Sequence, residues 1–304
     1  MRICSIGECM VELNPAKNNN YNLTFAGDTG NTAVYLSRLG AKTYYMTSIG
    51  TDKLSKKMEA FLQKENINNK FIFKNPKKNI GLYLIENNKF GERHFYYWRS
   101  DSAAKYLFDK IEINNFAKLF NDINVIYLSG ITLSIYNDKN LKKFYNFLRL
   151  LQKKNIIICV DINARLTNWK SREFAVRVLK KFTKIANMVF FTHEDLKLLK
   201  IKNVNLFIKN NTNKKSIKVF RKGNGEVIFF DSNKRETFRL NLNKKVVDTT
   251  GCGDAFNASF IFNYFKNNSI KKSISLSHKL AKKVAYNKGA LIPKKFFIRK
   301  DYTN

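Results

Sequence analysis

The segment Val247-Asp248-Thr249-Thr250-Gly251-Cys252-Gly253-Asp254-Ala255-Phe256 carries the most chemistry in this chain. Phe256, Phe260, Ile261, Tyr264 and Phe265 follow at helical spacing, so a helix begins at its end. Two glycines at a helix start let the backbone approach an anion closely. The free N–H groups of the first turn then point at it, with the helix dipole behind them. Asp254 falls among those donors, where its side chain is expected to be ionised and aimed at the same spot. An anion cradle beside a carboxylate base suits phosphoryl transfer, which needs charge stabilisation and an acceptor for the proton of the attacking hydroxyl. An ordinary capped helix is the plain alternative. Asp248 alone would fit it, but the whole string is too particular. Cys252, a thiol at a helix N-terminus, is expected to have a lowered pKa and to be the point at which oxidants inhibit.

Such a cradle needs a frame, and the chain alternates short β-rich runs with helical stretches. Strands are expected at residues 3–7, 43–49, 125–129, 156–163 and 188–192, several of them apolar nearly throughout, as in parallel strands covered on both faces. Asp28 or Thr29 can cap a helix carrying Ala33, Val34, Leu36 and Leu39, closed by Gly40. Further helices are expected at about 54–64 and 139–153. This alternation predicts an α/β fold, a doubly wound and mostly parallel sheet with helices on both faces. Residues 80–86 and 92–99 read as a hairpin about Asn87-Asn88-Lys89-Phe90-Gly91. With residues 11–25 the hairpin (about 80–100) forms a small β-flap, or lid. A second β-rich patch, 216–230, turns at Gly223-Asn224-Gly225. There is no repeat and no linker, so residues 1–304 are expected to form one domain with the flap inserted.

Composition narrows the classes. At 304 residues and 44% hydrophobic, the chain can bury a sizeable core. Cys4, Cys9, Cys159 and Cys252 lie far apart, which excludes a disulfide scaffold or zinc ribbon and points to a reducing cytoplasm. No apolar run approaches a membrane span, and the N-terminus reads as a first core strand, not a signal peptide. Lysine and arginine number 56 against 23 acids, a net charge of +33. Charge of that size gathers polyanions. Yet the lysine pairs recur evenly along the chain, with no basic tail, zinc finger or aromatic RNA-binding motif. No specific nucleic-acid partner is expected.

The 247–256 string is similar to the C-terminal signature of the ribokinase-like (PfkB) carbohydrate kinases, written DTxGAGD. The resemblance runs over essentially the whole chain and includes Ala26-Gly27-Asp28-Thr29-Gly30-Asn31. It implies why no GxxxxGK[ST] loop is present, since that family does not use one. It implies Asp254 as the catalytic base, and the backbone of Gly251, Cys252 and Gly253 as the anion hole. Two positions depart from the family pattern: Ala26 replaces the usual first glycine, and Cys252 the usual alanine.

Three further segments resemble the 2-keto-3-deoxygluconate kinases within that family: residues 7–13, residues 91–99 on the hairpin, and residues 161–169 at a strand end. By this resemblance Gly27, Asp28 and Asn31 line the sugar site, and Tyr83, Tyr97 and Arg99 reach down from the flap. Arg165 follows a strand into the crevice at the sheet's carboxyl edge, where a bidentate guanidinium suits a substrate carboxylate. Asn163 and Arg165 are also expected to border the phosphates of ATP, with Arg221, Lys222, Gly223 and Gly225 on the nucleotide side, where a bare hairpin turn would look the same. The family's Asn-x-x-Glu motif, tied to magnesium, stands as Thr192-His193-Glu194-Asp195. Glu194 or Asp195 takes that role, or the segment caps the next helix; His193 reads as structural. The implied activity is ATP- and Mg2+-dependent phosphorylation of 2-keto-3-deoxygluconate at its terminal hydroxyl, by a cytoplasmic homo-oligomer with no membrane partner. A neutral-sugar kinase of the fructokinase or ribokinase type is the alternative, and a basic nucleic-acid-binding relative the more distant one.

Overall fold

The computed structural model of the chain describes residues 1–87, 93–109, 111–241, 246–267 and 269–303. In order, the first half holds β1 Arg2–Ile6, β2 Met10–Pro15, β3 Tyr21–Ala26, α1 Asp28–Leu39, β4 Lys42–Ile49, α2 Lys53–Lys64, β5 Ile67–Asn68, β6 Ile72–Lys74, β7 Leu82–Asn87, β8 Arg93–Trp98, α3 Ile113–Lys118, β9 Val125–Ser129, α4 Gly130–Ser134 and α5 Asp138–Lys153. The second half holds β10 Ile157–Asp161, α6 Arg172–Thr183, β11 Met188–Thr192, α7 His193–Leu198, α8 Val204–Asn211, β12 Ile217–Arg221, β13 Glu226–Phe230, β14 Arg235–Arg239, α9 Cys252–Asn267 and α10 Ile270–Ala285.

The central strands are apolar on both sides because both sides are covered. Successive residues of a strand face opposite ways. In β9, Val125 and Tyr127 join the layer under α1, α9 and α10, while Ile126 and Leu128 join the layer under α3, α5 and α6. β1, β10 and β11 divide in the same manner. The main sheet runs β14-β13-β12-β11-β10-β9-β1-β4-β5, with β6 also on β4. It is parallel from β5 to β12 and antiparallel at β12–β13 and β13–β14. The doubly wound, mostly parallel expectation holds.

A second sheet, β3-β2-β7-β8, is the flap. Its register puts Thr24, Glu12, Tyr83 and Tyr97 in one row across the strands, and Leu23, Leu13, Leu84 and Tyr96 in the next. The two rows face opposite sides, one polar and one apolar. The expected hairpin turn lies, from residue 88 to 91, outside the described residues.

Three local expectations change. Helix α1 is capped by Gly27, not by Asp28 or Thr29. A side chain at position 27 would place its Cβ 2.3 Å from the Glu8 carbonyl oxygen, so the chain passes there as glycine and Asp28 becomes the first helical residue. Strand β10 stops at Asp161, two residues early, because Asn163 takes φ +31° and turns the chain. The polar edge strand β14 was not expected.

Candidate active site

The loop after β10 and the N-termini of α1 and α9 meet at one place. Asn31 from α1 donates its Nδ2 to Asp254 Oδ2 of α9 at 2.8 Å. Asp28, also from α1, accepts from Asn163 Nδ2 at 2.9 Å through Oδ2 and from the Thr29 N–H through Oδ1. Burial and then the Asp28 carboxylate raise the Asp254 pKa well above the ordinary carboxylate value, with Asp161 adding to the rise. Asn31 and Arg221 pull the other way and do not overcome it. The expected ionised side chain is therefore corrected. Desolvation beside a second carboxylate outweighs the helix N-terminus and favours the protonated form. A carboxyl group so raised is a stronger proton acceptor once it has ionised.

The cradle is held from behind. Gly251 sits at φ +75°, and an added Cβ would lie 2.7 Å from the Ala290 carbonyl oxygen, so both conformation and space require glycine. Asp248 ties the approach to the helix: Oδ1 accepts from the Thr250 N–H at 3.0 Å and Oδ2 from the Gly289 N–H at 2.6 Å. Of the three expected anion-hole residues, Cys252 turns its N–H back to the Thr249 carbonyl at 3.2 Å. The Ala255 N–H closes on the Gly251 carbonyl at 2.9 Å. The N–H groups of Gly251, Gly253 and Asp254 are left without a backbone acceptor among the described residues, as helix starts are. The thiol expectation fails. Burial, with Asp248 and Asp254 nearby, pushes the Cys252 thiol up to about 12, which opposes a reactive thiolate.

The flap brings its inner row over this place. Tyr83 is buried and donates its hydroxyl to Glu12 Oε2, whose other oxygen accepts from Asn14 Nδ2 and Thr24 Oγ1. Arg99 is ion-paired to buried Glu8, so its charge arrives already matched. Tyr97, whose ring lies 5.6 Å from that of Tyr83, is half-exposed. The charges of Arg99 and Arg165 both act on its hydroxyl, though burial dominates and raises its pKa. Arg165 itself is exposed and has no acidic partner among the described residues. Ala26, the departure from the family's glycine, packs with Met10, Tyr83 and Ile85 at the base of the flap.

On the other side, Arg221 leaves the end of β12 and lies against the start of α9. Its Nη1 donates to the Gly253 carbonyl at 3.2 Å and its guanidinium lies 5.3 Å from the Phe256 ring centre. Lys222 pairs with Glu226 at 2.5 Å, and Gly223 and Gly225 form the turn between β12 and β13. Asp195 caps α7: Oδ2 accepts from the Thr192 N–H and hydroxyl, and Oδ1 from the Ala164 N–H at 2.7 Å. The cap left open by the sequence is thus present, and it anchors the loop that carries Arg165. Glu194 and His193 are exposed beside it. Among the described residues no group of three His, Cys, Asp or Glu side chains could hold a metal ion.

Sequence reasoning missed Asp161 and Asn257. Asp161 is buried, accepts from Asn257 Nδ2 at 2.9 Å, and lies 3.7 Å from Arg221 Nη2. Burial raises its pKa to about 7 despite the arginine. The signal available was an aspartate in an otherwise apolar strand end. The assembled site offers a buried carboxyl group held by an amide, helix N–H groups without a backbone acceptor next to it, and Arg165, which has no acidic partner among the described residues and whose charge reaches the Tyr97 hydroxyl.

Residues 1–295 match the description pfkB family carbohydrate kinase. A 2-dehydro-3-deoxygluconokinase of Haemophilus influenzae is 34% identical over 96% of both chains. Among solved structures, a 2-dehydro-3-deoxygluconokinase of Thermotoga maritima superposes with a TM-score of 0.81 over 99% of this chain and 98% of that one, at 17% identity. A fructokinase of Xylella fastidiosa with bound ATP gives 0.83 over 95% and 93%, also at 17%. The solved structures share the fold with this chain.

Proposed function

The chain belongs to the pfkB family of carbohydrate kinases, phosphotransferases acting on a sugar hydroxyl, and from that premise we propose that it phosphorylates 2-keto-3-deoxygluconate on its terminal hydroxyl. The observation that carries the substrate is Arg165, an exposed arginine without an acidic partner among the described residues, whose charge acts on the Tyr97 hydroxyl of the flap. A guanidinium so placed suits a carboxylate. The likeness over 96% of the chain to a kinase of that sugar acid supports the same reading.

In this mechanism Asp254 Oδ accepts the proton of the terminal hydroxyl while that oxygen forms a bond to the γ-phosphorus of ATP. The bond from that phosphorus to the β–γ bridging oxygen breaks, and ADP leaves. Asn31 fixes Asp254 Oδ2, and the N–H groups of Gly253 and Asp254 face the charge that develops. Gly27 and Asp28 bound the sugar on the α1 side, and Asn163, held by Asp28, borders the phosphates. Tyr83 and Arg99, tied to Glu12 and Glu8, stiffen the flap that excludes water, while Tyr97 and Arg165 meet the substrate. A magnesium ion carried on the ATP phosphates would neutralise charge there; exposed Glu194 would be the carboxylate to approach it, since Asp195 is taken up by the α7 capping box and the Ala164 N–H. Lys222, Gly223 and Gly225 border the nucleotide. Four free thiols fit a reducing, cytoplasmic setting. The active form is a homo-oligomer paired through the flaps.

The test is ATP-dependent phosphorylation by purified protein of 2-keto-3-deoxygluconate, fructose, ribose and gluconate. The keto-deoxy acid is expected to be preferred at least tenfold in kcat/KM, the minimum that one carboxylate contact provides. The neutral-sugar reading has its own support, since Glu8 already neutralises Arg99. Preference for fructose or ribose would establish it and remove the role given to Arg165.

A further inference from the structure

We propose that Asp161 is a positioning residue for phosphoryl transfer, fixing the Arg221 guanidinium against the first turn of α9 so that its charge backs the γ-phosphoryl cradle. The inference deepens the proposed kinase reading and rests on it. Asp161 closes β10 and Arg221 closes β12, with β11 between them. The carboxylate is 4% exposed in its side chain, yet Oδ1 has no hydrogen bond and meets Arg221 Nη2 only at 3.7 Å. A buried charge held that loosely is a poor stabiliser, and an apolar residue of similar volume would hold the fold as well or better.

Its other contacts lead into the catalytic helix. Oδ2 accepts from Asn257 Nδ2, which also donates to the Tyr127 hydroxyl at 3.1 Å. Asn257 stands one turn beyond Asp254 on α9. Arg221 closes the circuit through Nη1 to the Gly253 carbonyl. Three neighbours therefore define where the guanidinium lies: a carboxylate, a carbonyl and the Phe256 ring beneath it. Without Asp161 only the uncharged two remain. The arginine is also not saturated, because Nε has no partner and Nη2 lies beyond hydrogen-bond length from Asp161. A guanidinium that is aimed but has donors to spare suits an oxygen that gains charge during transfer.

The test is a double-mutant cycle of Asp161→Asn, Arg221→Gln and the double variant, with Arg221→Lys as the conservative control. Each is read as kcat, KM for ATP and for the sugar, and Tm. Asp161→Asn and Arg221→Gln are each expected to lower kcat by on the order of 100-fold with KM for the sugar little changed. The double variant should be no slower than Arg221→Gln, because Asp161 acts through that arginine. Arg221→Lys should recover part of the rate. Multiplying losses, or wild-type kcat in Asp161→Asn, would overturn the proposal. If the asparagine variant does not fold, Asp161→Ala takes its place in the cycle and is held to the same outcomes. A wild type that prefers a neutral sugar would sink the substrate reading alone, and the cycle would then be run on that sugar. No sugar phosphorylation at all would overturn both.

Discussion

Asp254 and Asn31 meet from positions 223 residues apart, and their bond decides what the aspartate can do. The amide fixes one carboxyl oxygen and leaves the other to take a proton. Asp254→Asn keeps the shape and removes the acceptor, so kcat should fall by about 10²- to 10⁴-fold with ATP binding retained. Titration calorimetry and initial rates check both halves, and a variant with near-normal turnover would require another base. The raised pKa sets a pH dependence. Below it the side chain holds a proton and cannot accept one, so the rate rises with pH through a midpoint above the ordinary carboxylate range. A rate already flat from about pH 5 upward would contradict the raised pKa of buried Asp254. Arg165→Ala should raise KM for the keto-deoxy acid by about tenfold or more and leave a neutral sugar nearly unaffected, since one charge-assisted contact is lost. That Asp254, Gly251 and Gly253 sit at a helix start and that Arg165 follows a strand end could be read, because each stands in a local string. The environment of Asp254 could not. It depends on Asp28, Asn31 and Asp161, brought in by three separate elements.

Elements convert such residues into positions, and the loop after β10 shows how. Asn163 turns the chain at φ +31°, and the Ala164 N–H is caught by Asp195 at the start of α7, so Arg165 leaves a loop tethered next to it. Asp195→Ala removes that tether and the capping box together. The expected cost is about 1–2 kcal/mol, a few degrees in Tm for a chain of this size, with a rise in KM for the acid. Scanning calorimetry with sugar kinetics checks it, and an unchanged Tm would mean that the loop is held elsewhere. The strand ends at 125–129 and 188–192 could be read directly because apolar runs end there in polar or turning residues. The start of α1 was misread, since Asp28 and Thr29 look like caps, while the Glu8 carbonyl that forces glycine into the cap lies elsewhere in sequence. Strand β14, Arg-Glu-Thr-Phe-Arg, escaped because an edge strand exposed on one side has no apolar run to announce it.

The whole molecule carries +33 of net charge and a flap whose outer side is apolar, and the two features oppose each other when copies meet. Residues Leu23, Tyr96 and Trp98 share that outer side and are 38%, 47% and 59% exposed. On the same side Val11 and Phe25 are buried against α2 with Leu13 and Leu82 beside them, so Leu23, Tyr96 and Trp98 are the part left in water, and covering them would add stability. The sequence placed the flap but did not show which row would be left uncovered, since that follows from register. Pairing flap to flap brings two strongly basic chains together, at a cost that salt reduces by screening. Self-association should therefore tighten as sodium chloride rises from about 0.05 to about 0.5 M, the reverse of polyanion binding, which weakens over the same range. Sedimentation equilibrium with the wild type and Trp98→Lys checks this. The wild type should shift toward dimer with salt, and the lysine variant, adding charge to the apolar row, should stay monomeric throughout. A dimer that falls apart as salt rises would mean that paired charges, not the flap's apolar side, join the copies.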